Sequence, residues 1–91
     1  MDAIDAYHLA QKGIADLKAA ILALIVNAGD EGLTNAEVGK ALGIYRGHSE
    51  KGHEGHVSRF LLERMREEQV LVQADGKRWR LASGPDSREG D

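Results

Sequence analysis

Cysteine is absent from this sequence of 91 residues, and proline occurs only once. Without cysteine the chain has no disulfides and no thiolate metal ligands, as is typical of the reducing cytosol. Long apolar runs are also missing, because the longest, residues 19–26, is too short to cross a bilayer. The first ten residues are acidic and lack the positive start of a secretory signal. These absences predict a soluble, cytoplasmic protein.

Catalytic motifs are missing as well. The sequence has no phosphate-binding glycine motif and no nucleophile elbow. Its carboxylates are spread over helix faces and caps, and so short a chain offers little room for a substrate pocket. We therefore expect neither an enzyme nor a resident cofactor.

The net charge of −3 is unfavourable for a nucleic-acid-binding protein, but the charges are unevenly distributed. Residues 1–44 carry three Lys and Arg against six Asp and Glu, whereas residues 45–80 carry eight against six. Residues 81–91 carry one against three. Residues 45–80 are therefore mildly basic, much less so than a dedicated nucleic-acid-binding protein.

Apolar residues at helical spacing predict a long first helix over about residues 3–28. Gly13 weakens this helix and is a point at which it can divide in two. Residues 19–26 are apolar on nearly all sides. Either this segment is a central core helix, or part of it joins Ile4 and Tyr7 in a homodimer interface.

A capping box predicts the start of a short second helix over residues 35–42. Thr34 and Glu37 have the spacing at which each side chain accepts a hydrogen bond from the other's backbone N–H. Gly43 suits the end of the helix. Its buried side is expected to comprise Val38, Ala41 and Leu42. A polar loop, residues 44–53, follows.

A strongly amphipathic pattern predicts the third helix over about residues 53–69. The expected apolar stripe contains Val57, Leu61 and Met65, with Phe60 and Leu62 on its shoulders. The expected exposed side contains Arg59, Glu63 and Arg66, with His56 at its edge and Ser58 near its border. One face can thus anchor the core while the other stays available to a partner.

Two alternating segments around Asp75-Gly76 predict a β-hairpin over residues 70–81. A two-residue turn there pairs Val72 with Trp79 and Val70 with Leu81 on the core face. The outer face then carries Gln73, Arg78 and Arg80. Residues 82–91 are polar and acidic, which predicts a disordered tail.

Three segments in this order, LTNAEVGKALGI, GHVSRFLLERMREEQVLVQ and GKRWRL, resemble the winged helix-turn-helix domains of bacterial transcription regulators. The resemblance covers residues 20–81, about two-thirds of the chain. It implies a mainly α fold of three helices with a small antiparallel wing of two or three strands, in a single domain over residues 1–81. The loop at residues 44–53 is longer than the turn of a simple helix-turn-helix.

In that family the third helix enters the major groove of DNA and the hairpin contacts the backbone. The DNA-binding residues that the resemblance implies are Lys51, His56, Ser58, Arg59, Arg66, Lys77, Arg78 and Arg80. Arg59 is the best base reader among them, because a guanidinium can donate two hydrogen bonds to guanine. Tyr45 and Arg46 either pack or contact a phosphate. The competing interpretation is that these are ordinary surface charges, paired for instance with Glu63.

Three of the four histidines, His48, His53 and His56, lie close together in the sequence. Imidazoles at this spacing can bind zinc, although no cysteine supports them and H-E-G-H differs from the H-E-x-x-H of metalloproteases. We expect them instead to contact phosphates or lie in water, and we predict no resident metal. Because histidine titrates near neutral pH, DNA contacts of this kind would be pH-sensitive.

Two functions follow from these patterns. The first is binding of double-stranded DNA, as a transcription regulator or a DNA-binding accessory subunit that acts as a dimer or with a partner. The alternative is a winged helix that binds another protein and has no DNA binding of its own. One basic surface across the third helix and the hairpin would favour DNA, whereas interspersed acids and an exposed apolar patch would favour a protein partner.

Overall fold

The computed structural model describes residues 1–45 and 55–82 of the chain. The elements in these ranges are α1 (Ala3–Ala28), α2 (Asn35–Leu42), α3 (His56–Glu67), β1 (Leu71–Ala74) and β2 (Arg78–Leu81). Short 3₁₀ turns follow α1 at Gly29–Glu31 and join the strands at Asp75–Lys77. The predicted class, mainly helical with a small antiparallel hairpin, is therefore confirmed. The predicted tail, apart from Ala82, lies outside the described residues.

The first helix is continuous, and only its second half is packed against the core. The Asp2 carboxylate accepts a hydrogen bond from the Asp5 backbone N–H at 2.8 Å and caps the helix start. Gly13 does not divide the helix. Ile21 and Ile25 are buried, whereas residues 1–13 are all exposed. The N-terminal half of α1 thus projects from the core without covering it.

One core is shared by the three helices and the hairpin. Its buried side chains are Ile21, Ile25, Val38, Leu61, Leu62, Met65, Leu71 and Trp79. In α2 the buried residues are Val38 and Gly39, while Leu42 is half-buried and Ala41 is exposed, so the prediction for Ala41 is wrong. A Cβ on Gly39 would lie 3.0 Å from both the Tyr45 Cβ and the Ser58 Oγ, and this close packing shows which side of α2 faces inward.

The buried face of α3 differs from the predicted stripe. Ser58, Leu61, Leu62 and Met65 are buried, but Val57 is 49% exposed. Successive helical residues are about 100° apart, so a buried arc centred between Leu61 and Leu62 takes in Ser58 and leaves out Val57. The contacts of α3 with α1, α2 and β1 select this arc over the neighbouring one.

The hairpin register also differs from the prediction, by one residue. The observed pairs are Leu71 with Leu81, Val72 with Arg80, Gln73 with Trp79, and Ala74 with Arg78. Three residues, Asp75–Lys77, form the turn instead of two. Because a one-residue shift moves the side chains of β1 to the other face relative to β2, Leu71 is buried and Val72 is 40% exposed. The predicted pairs and the predicted core face of β1 are therefore wrong, and Gln73 lies on the face of Trp79. On β2 the prediction is confirmed for Trp79, which is buried, and for Arg78 and Arg80, which lie on the opposite face.

Leu33, between α1 and α2, pairs with the hairpin. Leu33 and Trp79 form an isolated antiparallel bridge. The Leu33 N–H donates to the Trp79 carbonyl at 3.0 Å, and the Trp79 N–H donates to the Leu33 carbonyl at 2.7 Å. This bridge holds β2 beside the start of α2.

The predicted capping box at the start of α2 is confirmed. The Thr34 hydroxyl accepts a hydrogen bond from the Glu37 N–H at 3.1 Å, and the Glu37 carboxylate accepts one from the Thr34 N–H at 2.9 Å. The hydrogen bond from the Thr34 N–H, together with the nearby positive charge of Arg78, lowers the pKa of Glu37 below its ordinary value. The start of α2 is therefore sensitive to acid.

Replacing Glu37 by glutamine is expected to remove this sensitivity. A carboxylate whose pKa is lowered by folding stabilises the fold above its unfolded pKa, and that stabilisation is lost as the pH falls through the folded pKa. Glutamine keeps an acceptor for the Thr34 N–H but carries no charge. Thermal melts followed by circular dichroism should show a higher Tm for the wild type at neutral pH and converging Tm values in acid. A Tm difference that stays constant with pH would contradict the lowered pKa.

Candidate nucleic-acid interface

The exposed face of α3 carries charges of both signs. Arg59, Glu63 and Arg66 lie outside its buried face, as predicted. The Arg66 guanidinium donates to the Glu63 carboxylate and lies 5.9 Å from the centroid of the Trp79 ring. Among the described residues, the ion pairs do not include Arg59. Arg59 is therefore better placed than Arg66 to bind an external anion or a base edge.

A solvent-open cleft of about 560 Å³ lies between α3 and the hairpin. Arg59 lines it from α3 and Lys77 lines it from the turn of the hairpin. The cleft also contains Glu63, Gln73 and residues 34–36 at the start of α2. It thus places two cations, one carboxylate and several hydrogen-bonding groups around one opening.

Ser58 is not part of this surface, and its predicted position near the exposed border is wrong. It is completely buried, and its hydroxyl donates to the Asn35 side-chain oxygen at 2.7 Å. The Asn35 amide nitrogen in turn donates to the Gly55 carbonyl at 3.2 Å. Gly55 has a φ of 84° and approaches Asn35 so closely that a Cβ would lie 2.7 Å from the amide nitrogen. Ser58 therefore joins the start of α3 to the start of α2, and its burial rules out a DNA contact.

Replacing Ser58 by alanine is expected to cost about 1–3 kcal/mol of the free energy of unfolding, because the Asn35 oxygen loses its donor in a half-buried position. Asn35→Ala and the double variant complete a double-mutant cycle by urea denaturation. The hydrogen bond predicts that the double variant costs less than the sum of the two single variants. Strictly additive costs would show that the two side chains do not interact.

The two hairpin arginines face away from the cleft. Arg78 donates to the Glu31 carbonyl at 2.8 Å, to the Gly32 carbonyl at 3.1 Å and to the Glu37 carboxylate at 3.2 Å. Together with Arg80 it borders a separate depression that also contains Asp30, Glu31 and Asp75. The structure therefore does not bring Arg78 and Arg80 together with Arg59, and Arg78 serves to attach the hairpin to α2.

Several predicted residues fall within residues 46–54. Lys51, His48, His53 and Arg46 lie outside the described residues, so the histidine group is represented only by His56. His56 is exposed at the first position of α3. Tyr45 is half-buried, lies against Gly39 and lines the cleft, with the Lys40 amine 5.3 Å from its ring centroid.

Asn35 and Gln73 are the cleft residues that the sequence prediction missed. The correct hairpin register would have placed Gln73 beside Trp79, but the Asp75-Gly76 pair favoured the shorter turn. From the sequence alone, Asn35 is an ordinary first residue of a helix. Its role depends on Gly55 and Ser58, which are 20 and 23 positions away.

Comparison with protein-family models, with curated proteins and with solved structures finds no match for this chain. In residues 1–45 and 55–82, none of the helices combines the length and the apolar character needed to cross a membrane.

Proposed function

We propose that this chain is a winged helix-turn-helix protein that binds double-stranded DNA, as a transcription regulator or a DNA-binding accessory subunit. The order of three helices followed by a hairpin supports this fold. The Leu33–Trp79 bridge supports it further, because it adds a third, single-residue strand to the hairpin. The observation that carries the proposal is the cleft in which Arg59 of α3 and Lys77 of the hairpin face the same opening.

Each cation has a role that suits its position. α3 lies in the major groove, where the Arg59 guanidinium donates to a guanine edge. The hairpin lies along the backbone, where Lys77 neutralises a phosphate. Gln73, on the same side of the hairpin, supplies a further hydrogen-bonding group. Arg78 is assigned a structural role, because its Nε and Nη2 already donate hydrogen bonds within the protein.

The charge balance predicts moderate affinity. Glu63 lines the same cleft and repels phosphates unless it accepts a hydrogen bond from a cytosine amino group. Because the net number of phosphate contacts is small, the logarithm of the binding constant should fall only shallowly with the logarithm of the salt concentration. Each contact contributes about 0.9 to this slope. Two copies on one duplex would double these contacts, with half-sites about one helical turn apart.

The test is a fluorescence-anisotropy titration of mixed-sequence duplex DNA over a salt series. Arg59→Ala is expected to weaken binding by about 5- to 150-fold, and Lys77→Ala to reduce the salt slope by about 1. Arg64→Ala is the matched control, since Arg64 is on the same helix but is turned toward Phe60 and Glu68. An equal loss in Arg64→Ala would contradict the proposed orientation, and no binding at low salt by the folded wild type would contradict DNA binding.

A protein partner is the second candidate, and a specific observation favours it. Glu63 and Glu37 pair with Arg66 and Arg78, so acids are interspersed among the arginines instead of leaving one basic patch. Phe60 is 55% exposed on α3 as well. If the wild type is folded but shows no DNA binding, this alternative replaces the first proposal.

A further inference from the structure

The N-terminal half of α1 has no packing partner in the part of the chain that the structure describes. Residues 1–13 are all exposed, including Ile4 at 67% and Tyr7 at 61%. This half extends a helix that is already formed by its packed second half, but most helical stability in proteins comes from packing, and Gly13 costs roughly 1 kcal/mol relative to alanine. A helix that continues to Ala3 under these conditions needs a packing partner along its exposed side.

One row of residues follows the whole exposed side of α1. Its members are Ile4, His8, Gln11, Ala15, Ala19, Leu22 and Val26, spaced by three or four positions. At about 100° per residue they fall within one narrow stripe of the helix. All are exposed except Leu22, which is half-buried. The row borders the buried face that contains Ile21 and Ile25, and Leu22 packs against the core at this border.

The row is symmetric about Ala15. When two copies of α1 run antiparallel and cross at Ala15, Ile4 of one copy lies opposite Val26 of the other. In the same arrangement His8 lies opposite Leu22, and Gln11 lies opposite Ala19. A surface that is complementary to itself under a two-fold rotation is what an isologous homodimer requires. The small alanines at the crossing allow the two helices to approach closely.

We propose that a second copy of this chain packs antiparallel against α1 through this row, with the two-fold axis at Ala15. The contact from Ile4 to Val26 extends over 22 residue steps, about 33 Å of helix. It therefore uses much more surface than the projecting N-terminal halves alone.

The C-terminal end of the row lies beside a groove that can accept the N-terminal half of α1 from the other copy. A shallow groove of about 170 Å³ beside Val26 is lined by Val72 and Leu81 of the hairpin. These three apolar side chains are 55%, 40% and 44% exposed, and the charged side chains of Asp30 and Arg80 line the groove beside them. The antiparallel arrangement brings Ile4 of the second copy to this groove. The two-fold symmetry then repeats the same contact at the other end of the dimer.

Single cysteine variants test the geometry directly, because the chain has no cysteine of its own. Ala15→Cys places two thiols at the two-fold axis, where the Cα separation suits a disulfide. Under mild oxidation it is expected to form a covalent dimer as its main product. Ala6→Cys is the matched control, since Ala6 is exposed on the opposite side of the same helix and should remain monomeric on a non-reducing gel.

Ile4→Cys distinguishes the two orientations. A parallel pair would place the two Ile4 positions side by side and cross-link them, whereas the antiparallel pair keeps them at opposite ends. Efficient cross-linking of Ile4→Cys, or cross-linking of Ala15→Cys no faster than that of Ala6→Cys, would overturn the proposal.

Sedimentation over a concentration series measures the same association without cross-linking. Ala15→Glu brings two carboxylates together at the axis and is expected to raise the dimer Kd at least about 100-fold. Ala6→Glu should leave the Kd unchanged, and circular dichroism checks that both variants fold. An unchanged Kd in Ala15→Glu, or a wild type that remains monomeric, would contradict the dimer. No DNA is present in these experiments, so their outcome is independent of DNA binding.

Discussion

Trp79→Ala is expected to cost about 3–5 kcal/mol of the free energy of unfolding. The Trp79 side chain is 2% exposed and belongs to the core shared by the helices and the hairpin. Alanine leaves a cavity that the neighbouring side chains cannot close fully. In a domain of this size such a loss corresponds to a fall in Tm of roughly 12–40 °C. Urea denaturation and calorimetry would measure the two quantities.

Leu81→Ala is the control on the same strand. Leu81 is 44% exposed, so its replacement should cost less than about 1 kcal/mol. The sequence prediction places Leu81 in the core, where the substitution would be several times more costly. Leu71→Ala and Val72→Ala extend the comparison to the other strand, with a large cost expected only for Leu71. Equal costs for Leu71 and Val72 would contradict the observed register.

Gly32→Ala is expected to cost about 3–5 kcal/mol, by a different mechanism. Gly32 has a φ of 68° and a ψ of −173°, a region that is open almost only to glycine. In addition, an added Cβ would lie 2.5 Å from the Trp79 carbonyl oxygen, which accepts the Leu33 hydrogen bond. Alanine must therefore both strain the backbone and displace β2. The free energy of unfolding is again the quantity to measure.

Gly29→Ala separates the two effects. Gly29 has the same φ of 68°, but nothing lies within 4 Å of its added Cβ. Its replacement should show only the backbone strain, about 1–3 kcal/mol. The excess cost at Gly32 then measures the contact with β2. If the two variants lose equal stability, the strand does not approach Gly32 as the structure shows.

The helices were predictable because their signals are local. Asp2 caps α1 and the Thr34–Glu37 box caps α2 through hydrogen bonds that span three residues. Apolar spacing indicated α3, and the Asp75-Gly76 pair indicated a hairpin. Each of these features depends on residues that are close in the chain, so its energetics can be judged from a short stretch of sequence.

The candidate site was only partly predictable. Arg59 and Lys77 follow from helical spacing and from the position of a turn. The separation of Arg78 from them depends on hydrogen bonds to Glu31 and Glu37, which are 47 and 41 positions away. The burial of Ser58 depends on Asn35, 23 positions away. The sequence around Arg78 and around Ser58 gives no indication of these distant partners.

The sequence by itself determined the three helices, the capping box of α2 and the presence of the hairpin, since each follows from interactions between near neighbours. The tertiary structure alone decided which arc of α3 is buried, which register the strands adopt and which cations share a cleft. Rotating α3 by about one residue, or shifting the hairpin by one, changes no local propensity. Only packing against distant elements distinguishes these alternatives, through the burial of Leu62 and Leu71 and the pairing of Leu33 with Trp79.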